Sequence, residues 1–131
     1  MKKIYLLFIL QIAVFNSNAQ TSNSRTLRDW TFVTEKLMVD IFYRILECNN
    51  KRQLHLKVFN DLPKDREIIF SVEIGNTKET EKITKKILLN AIAAARYVPD
   101  CISTDTLNNL KIDLPAHYNI TELTIKAIFP Q

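Results

Sequence analysis

Glycine is nearly absent from this sequence, since Gly75 is the only one among 131 residues. A single glycine cannot build the glycine-rich loop that cradles phosphates, and no G-x-S-x-G segment is present to hold a serine nucleophile. Histidine is also scarce. His55 lies within a strand pattern and His117 in a Pro-Ala-His-Tyr loop, and no clustering of histidine, cysteine and carboxylates matches a zinc site. We therefore expect a protein that is not an enzyme and that holds no metal and no cofactor.

Long apolar runs are absent too, and the longest mainly apolar stretch is residues 4–15. Crossing a bilayer takes about 20 such residues, so this stretch is too short to serve as an anchor. Two lysines precede it and small polar residues follow it, which is the order typical of a secretory signal peptide. We predict that residues 1–19 are a signal peptide cleaved between Ala19 and Gln20. The protein is then secreted or periplasmic, without a membrane span after cleavage.

A strong excess of one charge is lacking as well. Two of the 18 basic side chains belong to the predicted signal peptide, so 16 remain against 14 acidic ones, a net charge of +2. The basic clusters also have acidic neighbours, which is typical of solvated surfaces and not of a nucleic-acid site. We expect no nucleic acid among the partners. Residues 20–29 are polar and predict a flexible lead-in, followed by one domain over residues 30–131.

The chain has two cysteines, Cys48 and Cys101, and no C-x-x-C pair. Both cysteines remain after the predicted cleavage. An even number of cysteines in a small exported domain most often forms a disulfide. We predict a structural bridge between these two residues, and closing a loop of this length would stabilise the domain by about 4 kcal/mol.

Period-two alternation of apolar and polar residues is the main structural signal, and it predicts strands that place one face on a core. Asn49-Asn50 separates two of these patterns and predicts a hairpin turn, because asparagine tolerates positive φ. Short strands joined by such turns favour an antiparallel β-sandwich over βαβ units. The alternating segments are residues 37–46, 53–59, 67–74 and 122–129.

The stretch from residue 78 to residue 97 supports two predictions. It is rich in lysine, glutamate, leucine and alanine, which favours a helix and would make the fold α+β. Ile83, Ile87 and Leu89 also fit a strand with polar residues between them. We favour a strand over residues 82–90 because the surrounding patterns are β, and we keep the helix at about 78–97 as the alternative.

The order of these elements resembles a known group of proteins. A strand ending in Cys48 and a polar turn lead into Leu-His-Leu-Lys-Val-Phe-Asn, a second cysteine follows in a loop, and an alternating strand ends the chain. This order is similar to that of the small immunoglobulin-like β-sandwich proteins that Gram-negative bacteria export, many of unknown role. The resemblance covers residues 30–131 and implies an immunoglobulin-like sandwich. It implies no catalytic residues.

These observations favour an exported, non-enzymatic protein that binds a protein, a surface or a ligand, and they leave the partner and the oligomeric state open. The alternative is a small secreted hydrolase or a hydrolase inhibitor. Trp30, Tyr97 and Tyr118 lie at predicted strand ends or loops and are candidates for a contact surface or for the core. The tripeptide Asp105-Thr106-Leu107 looks like an acceptor for bacterial O-glycosylation, which would modify Thr106.

Overall fold

The computed structural model describes residues 23–131, and this part of the chain folds into eight strands in two antiparallel sheets. The prediction of an all-β antiparallel fold with one disulfide is confirmed. Two short 3₁₀ helices, Asp105–Leu110 and Ile120–Glu122, complete the fold. No helix within residues 23–131 is long and apolar enough to cross a membrane. The strands are β1 Ser24–Lys36, β2 Val39–Cys48, β3 Lys51–Asn60, β4 Arg66–Asn76, β5 Ile83–Ala91, β6 Arg96–Tyr97, β7 Lys111–Asp113 and β8 Leu123–Ile128.

The chain passes between the two sheets several times. Sheet A has the order β1-β2-β3, and the short strands β6 and β7 share the remaining edge of β3. Sheet B has the order β5-β4-β8. These two packed antiparallel sheets are consistent with an immunoglobulin-like sandwich.

The core lies between the sheets because each long strand sends alternate side chains inward. In β2, Ile41 and Ile45 are fully buried, and in β4 Phe70 is the largest fully buried side chain. Full burial of a side chain of this size contributes about 1.5–3 kcal/mol, so these positions set the register of both sheets. Leu110, at the end of the 3₁₀ helix, and Phe129, after β8, close the core at its margins.

The β2–β3 hairpin turns at Asn49 and Asn50, as predicted, and both residues have positive φ. The β1–β2 hairpin also has positive φ at its two turn residues, but these are Leu37 and Met38. Such residues strain the backbone there, because their Cβ atoms crowd the neighbouring carbonyl. The Arg66 guanidinium holds this turn by donating to the Leu37 and Met38 carbonyl oxygens, at 2.6 and 2.8 Å.

The structure confirms the sequence prediction for one segment and corrects it for another. The stretch around residues 78–97 contains strand β5, so the strand prediction is confirmed and the helical alternative is wrong. The polar stretch 20–29, predicted to be a flexible lead-in, belongs to β1 from Ser24 onward, six residues before the predicted start of the domain. Hydrogen bonding to β2 orders residues 24–29 although they offer little apolar surface. The predicted cleavage point between Ala19 and Gln20 lies outside the described residues.

The single glycine of the sequence lies inside a strand. Strand β4 continues through Gly75 and ends at Asn76. Gly75 pairs with Thr124 of β8, and a Cβ atom on Gly75 would lie 2.7 Å from the Thr124 Oγ1. Glycine is therefore needed here for the close approach of β8, since its φ is not positive.

Candidate functional site

The disulfide lies on the outer surface of sheet A and not between the sheets. Cys48, the last residue of β2, points away from the core and bonds to Cys101, with 5.6 Å between the Cα atoms. The predicted Cys48–Cys101 bridge is confirmed. A bridge of this kind indicates an oxidising, non-cytoplasmic compartment. It also fixes residues 98–104, here called the disulfide loop, against the outer face of sheet A.

The disulfide loop covers one half of that face. The Arg44 Nη2 on β2 donates to the Pro99 carbonyl oxygen at 2.8 Å. Leu46 and His55 point out of sheet A, yet they are only 4% and 0% exposed. Two side chains that would otherwise contact water are thus enclosed, and the covered half of the face offers no surface for binding.

His55 is enclosed beneath this loop and is unsuited to acid–base chemistry. Its Nε2 lies 3.0 Å from the Gln53 Oε1 and 4.0 Å from the Cys48 Sγ, and its Nδ1 has no hydrogen-bond partner among the described residues. Burial, and after it the charges of Arg44 and Lys111, lowers the pKa of His55 to about 4. The imidazole is therefore neutral at neutral pH and has no contact with solvent.

The uncovered half of the outer face of sheet A carries aromatic rings and cations in alternation. Phe32 of β1, Phe42 of β2 and Phe59 of β3 form a row across the strands, with ring centroids 5.5 and 5.6 Å apart. The Phe32 side chain is 57% exposed. We call this surface the aromatic–basic face, and it consists of Trp30, Phe32, Phe42, Phe59, Arg44, Lys57 and Arg96.

The cations of the aromatic–basic face lie directly over its rings. The Lys57 Nζ is 4.6 Å from the centroid of Trp30 and 4.5 Å from that of Phe42. The Arg44 guanidinium lies 4.4 Å from the Trp30 ring, and the Arg96 guanidinium lies 4.5 Å from the Phe59 ring. Each contact of this kind contributes about 0.5–1 kcal/mol on a surface. The rings therefore hold the charged groups in fixed positions.

These cations have no acidic partner within the part of the chain that the structure describes. No ion pair within 4.0 Å involves Arg44, Lys57 or Arg96. Burial lowers the pKa of Arg44, and the charges of Asp100 and Asp29 at longer range only partly oppose this. The Lys57 and Arg96 charges are the ones left available to an anionic group of another molecule.

The remaining candidates from the sequence do not come together. The His117 Nε2 lies 3.6 Å from the Glu79 Oε1 on the exposed surface, whereas His55 is fully buried. Tyr118 is buried, and the half-buried Tyr97 accepts a hydrogen bond from a backbone N–H. Thr106 is exposed in the 3₁₀ helix Asp105–Leu110. Within residues 23–131, no group of three histidine, cysteine or acidic side chains is placed to hold a metal ion.

An apolar cavity of about 220 Å³ lies at the end of the sandwich, away from the aromatic–basic face. Its walls include Leu37 of the strained turn and Phe129 near the C-terminus, and no histidine lines it. Such a cavity has room for a side chain of a partner, and Arg66 and Glu67 also lie on its walls. Comparisons with protein-family models, with curated proteins and with solved structures gave no match for this chain.

Proposed function

We propose that this protein is exported and acts without catalysis, by binding a partner protein through the aromatic–basic face. The observation that carries the proposal is the set of cations stacked on exposed or half-buried rings without acidic partners among residues 23–131. These rings and cations lie on the side of sheet A opposite the core, so they are not needed to fill it.

The composition of the face favours a protein as the partner. Tryptophan, phenylalanine and arginine are enriched at the centres of protein interfaces, and tryptophan and arginine dominate binding energies there. The face is also one side of a sheet and not a cleft, which suits a broad partner surface better than a small ligand. An acidic patch on the partner would complement Lys57 and Arg96.

Export is the second part of the proposal, and the predicted signal peptide and the disulfide support it. The full chain can be expressed in a Gram-negative host and recovered from the periplasmic and cytoplasmic fractions. We expect the recovered protein to begin at Gln20 by N-terminal sequencing and to lie outside the cytoplasm. Recovery of a chain that begins at Met1 in the cytoplasmic fraction would contradict export.

Binding is tested by cross-linking the mature chain, residues 20–131, to proteins of the exported fraction and comparing two variants. Lys57→Gln with Phe42→Ala removes the centre of the aromatic–basic face. Lys86→Gln with Leu88→Ala removes a matched pair from the outer face of sheet B. We expect the face variant to lose its cross-linked partners and the control to keep them. Equal recovery with both variants would refute the proposal.

The disulfide loop supports a second candidate, a hydrolase inhibitor. Ile102 follows Cys101 directly and is 71% exposed, and the Asp100 carboxylate accepts hydrogen bonds from the Ile102 N–H and the Ser103 hydroxyl. A rigid loop with an exposed apolar residue is the form in which an inhibitor presents itself to an active site. A panel of secreted proteases assayed with the wild type and with Ile102→Asp tests this candidate, which requires inhibition by the wild type alone.

Modification of Thr106 is a further part of the proposed function of an exported protein. The hydroxyl lies on an exposed 3₁₀ helix, where an enzyme has access to it. Intact-mass measurement of the protein secreted from a glycosylating host, with Thr106→Ala as control, would show a glycan on the wild type only. An unmodified wild-type mass would dismiss the site.

A further inference from the structure

The aromatic–basic face continues into a group of acids on the same side of sheet A. The register aligns four residues of β1, β2, β3 and β6 in one row: Glu35, Asp40, Phe59 and Arg96. Asp61 lies just after β3, and its carboxyl group is close enough to the Asp40 side chain to affect its ionisation. We call Glu35, Asp40 and Asp61 the acidic corner. A single sheet surface thus has carboxylates at one corner, rings at its centre and cations at the opposite side.

The two charge groups do not neutralise each other within one chain. In the described structure, no carboxylate of the acidic corner lies within 4.0 Å of a lysine, arginine or histidine nitrogen. The pKa of Asp40 is raised, first by its interaction with the Asp61 carboxyl group, then by burial and by the charges of Asp61 and Glu35. Like charges stay together at the corner, although Lys57 is only one strand spacing and two residues from Asp40, roughly 8 Å, and Arg96 is two strand spacings from Asp40, roughly 10 Å.

Such a surface is complementary to itself. When two copies meet face to face, the two-fold axis lies in the plane of the interface. If this axis runs obliquely to the strands, it places the acidic corner of one copy against the cations of the other. Using the strand spacing and rise, this operation places Asp40 of one copy over Lys57 of the other, and Asp61 over Arg96. The row of phenylalanines then meets its own counterpart at the centre.

We propose that the partner of the aromatic–basic face is a second copy of this chain, docked face to face with each acidic corner against the other copy's cations. This inference rests on the proposed function of the face and names its partner. The face measures roughly 15–20 Å in each direction from strand spacing and rise. That is smaller than a standard interface, so we expect a weak dimer that dissociates on dilution.

Analytical ultracentrifugation of the mature chain, from about 5 to 500 µM, is the direct test, with a range chosen from the size of the face. We expect dimers that dissociate on dilution and that weaken about tenfold in high salt. The chain has one tryptophan, Trp30, which lies in the face. Its emission should change over the same concentration range as the sedimentation coefficient, and this places the contact on the aromatic–basic face.

Charge reversal identifies the contact. Arg96→Glu and Asp61→Lys alter exposed side chains and leave the core untouched. We expect each variant alone to dimerise at least about tenfold more weakly, and an equimolar mixture of the two to form a heterodimer again. Lys86→Glu and Glu67→Lys make the same charge changes on the outer face of sheet B and should leave dimerisation unchanged.

Two results would overturn the inference. The first is a wild type that stays monomeric throughout the concentration range. The second is equal weakening by Arg96→Glu and Lys86→Glu, since the effect would then follow net charge and not the face. Neither result decides the proposed function, because the cross-linking comparison reports separately whether the face binds any protein. If that comparison fails while a dimer with the expected mutational pattern forms, the face serves self-association alone.

Discussion

The burial of His55 makes the stability of this protein depend on pH in a defined range. In the folded protein the pKa of His55 is lowered to about 4 by burial and by the charges of Arg44 and Lys111, against an ordinary value of 6.5. As the pH falls, the unfolded chain therefore takes up the proton first. The stability that neutral His55 contributes is complete above about pH 6.5 and is lost progressively as the pH falls toward 4.

The size of the effect follows from the difference in pKa. A shift of about 2.5 units corresponds to roughly 3 kcal/mol, since each unit is worth about 1.4 kcal/mol. About 2 kcal/mol of this is lost by pH 5, where the unfolded histidine is almost fully protonated and the folded one is not. A loss of this size is a large fraction of the stability of a domain with roughly 5–15 kcal/mol in total.

Urea unfolding followed by Trp30 fluorescence at pH 7.5, 6.5, 5.5 and 5.0 measures the effect. Carboxylates also titrate near the lower end, so the informative quantity is the difference between the wild type and His55→Gln. We expect the variant to lose less stability between pH 7.5 and pH 5 by about 2 kcal/mol. His117→Gln, at an exposed position, is the control and should follow the wild type. Parallel curves for wild type and His55→Gln would refute the account of an enclosed, neutral imidazole.

Three further changes test the fold. Reducing the disulfide should lower the free energy of unfolding by about 4 kcal/mol, measured as a urea midpoint with and without reductant, and an unchanged midpoint would contradict its structural role. Replacing Leu37-Met38 by Asn-Gly should raise stability by about 1–2 kcal/mol, because these residues adopt the positive φ of the turn without strain; a lower melting temperature would show that the strain is absent. Gly75→Ala should cost about 1–3 kcal/mol through its contact with Thr124, and the added change Thr124→Ala should recover most of the loss.

Much of sheet A could be predicted from the sequence because its central hairpin is regular. The Asn49-Asn50 turn fixes the register of β2 and β3, which pairs Phe42 with Lys57 and Arg44 with His55. Counting back from that turn would have placed an aromatic ring beside a lysine on the face away from the core. The centre of the aromatic–basic face could therefore be predicted from the sequence. The alternation by itself shows only that each of these side chains points outward, and not that they are neighbours.

The part of the aromatic–basic face that β1 contributes could not be predicted from the sequence, and the reason is physical. The pairing of β1 with β2 shifts register between Thr26 and Arg28, between Arg28 and Thr31, and between Phe32 and Thr34. Each shift interrupts the period-two pattern, so side chains of β1 do not alternate between the faces in sequence order. Neither the strand itself nor the position of Trp30 over Arg44 could be found by periodicity.

Strand β5 shows how local preference yields to packing. Its lysines, leucines and alanines favour a helix by intrinsic propensity, yet Ile87, Leu89 and Ala91 are buried against sheet A while the residues between them are exposed. A helix over the same residues would keep Ile87 and Ala91 on one face but turn Leu89 to the opposite side. The burial gained by the strand outweighs propensity differences of a few tenths of a kcal/mol per residue.

The burial of His55 and the exposure of the aromatic–basic face have one common origin, the disulfide loop. A sheet of a sandwich has two faces, and sheet A covers its inner face with sheet B but has only residues 98–104 for the outer one. The loop reaches from Pro99 at Arg44 to Cys101 at the end of β2. Where the loop lies, an apolar side chain and a neutral histidine are enclosed. Beyond the loop, large aromatic rings remain at the surface. Lysine and arginine side chains lie over these rings and contact them, which no other part of residues 23–131 does. The edge of the loop is therefore also the edge of the surface available to a partner. Arg44 lies at this edge, because it donates a hydrogen bond to the loop and its guanidinium contacts the Trp30 ring.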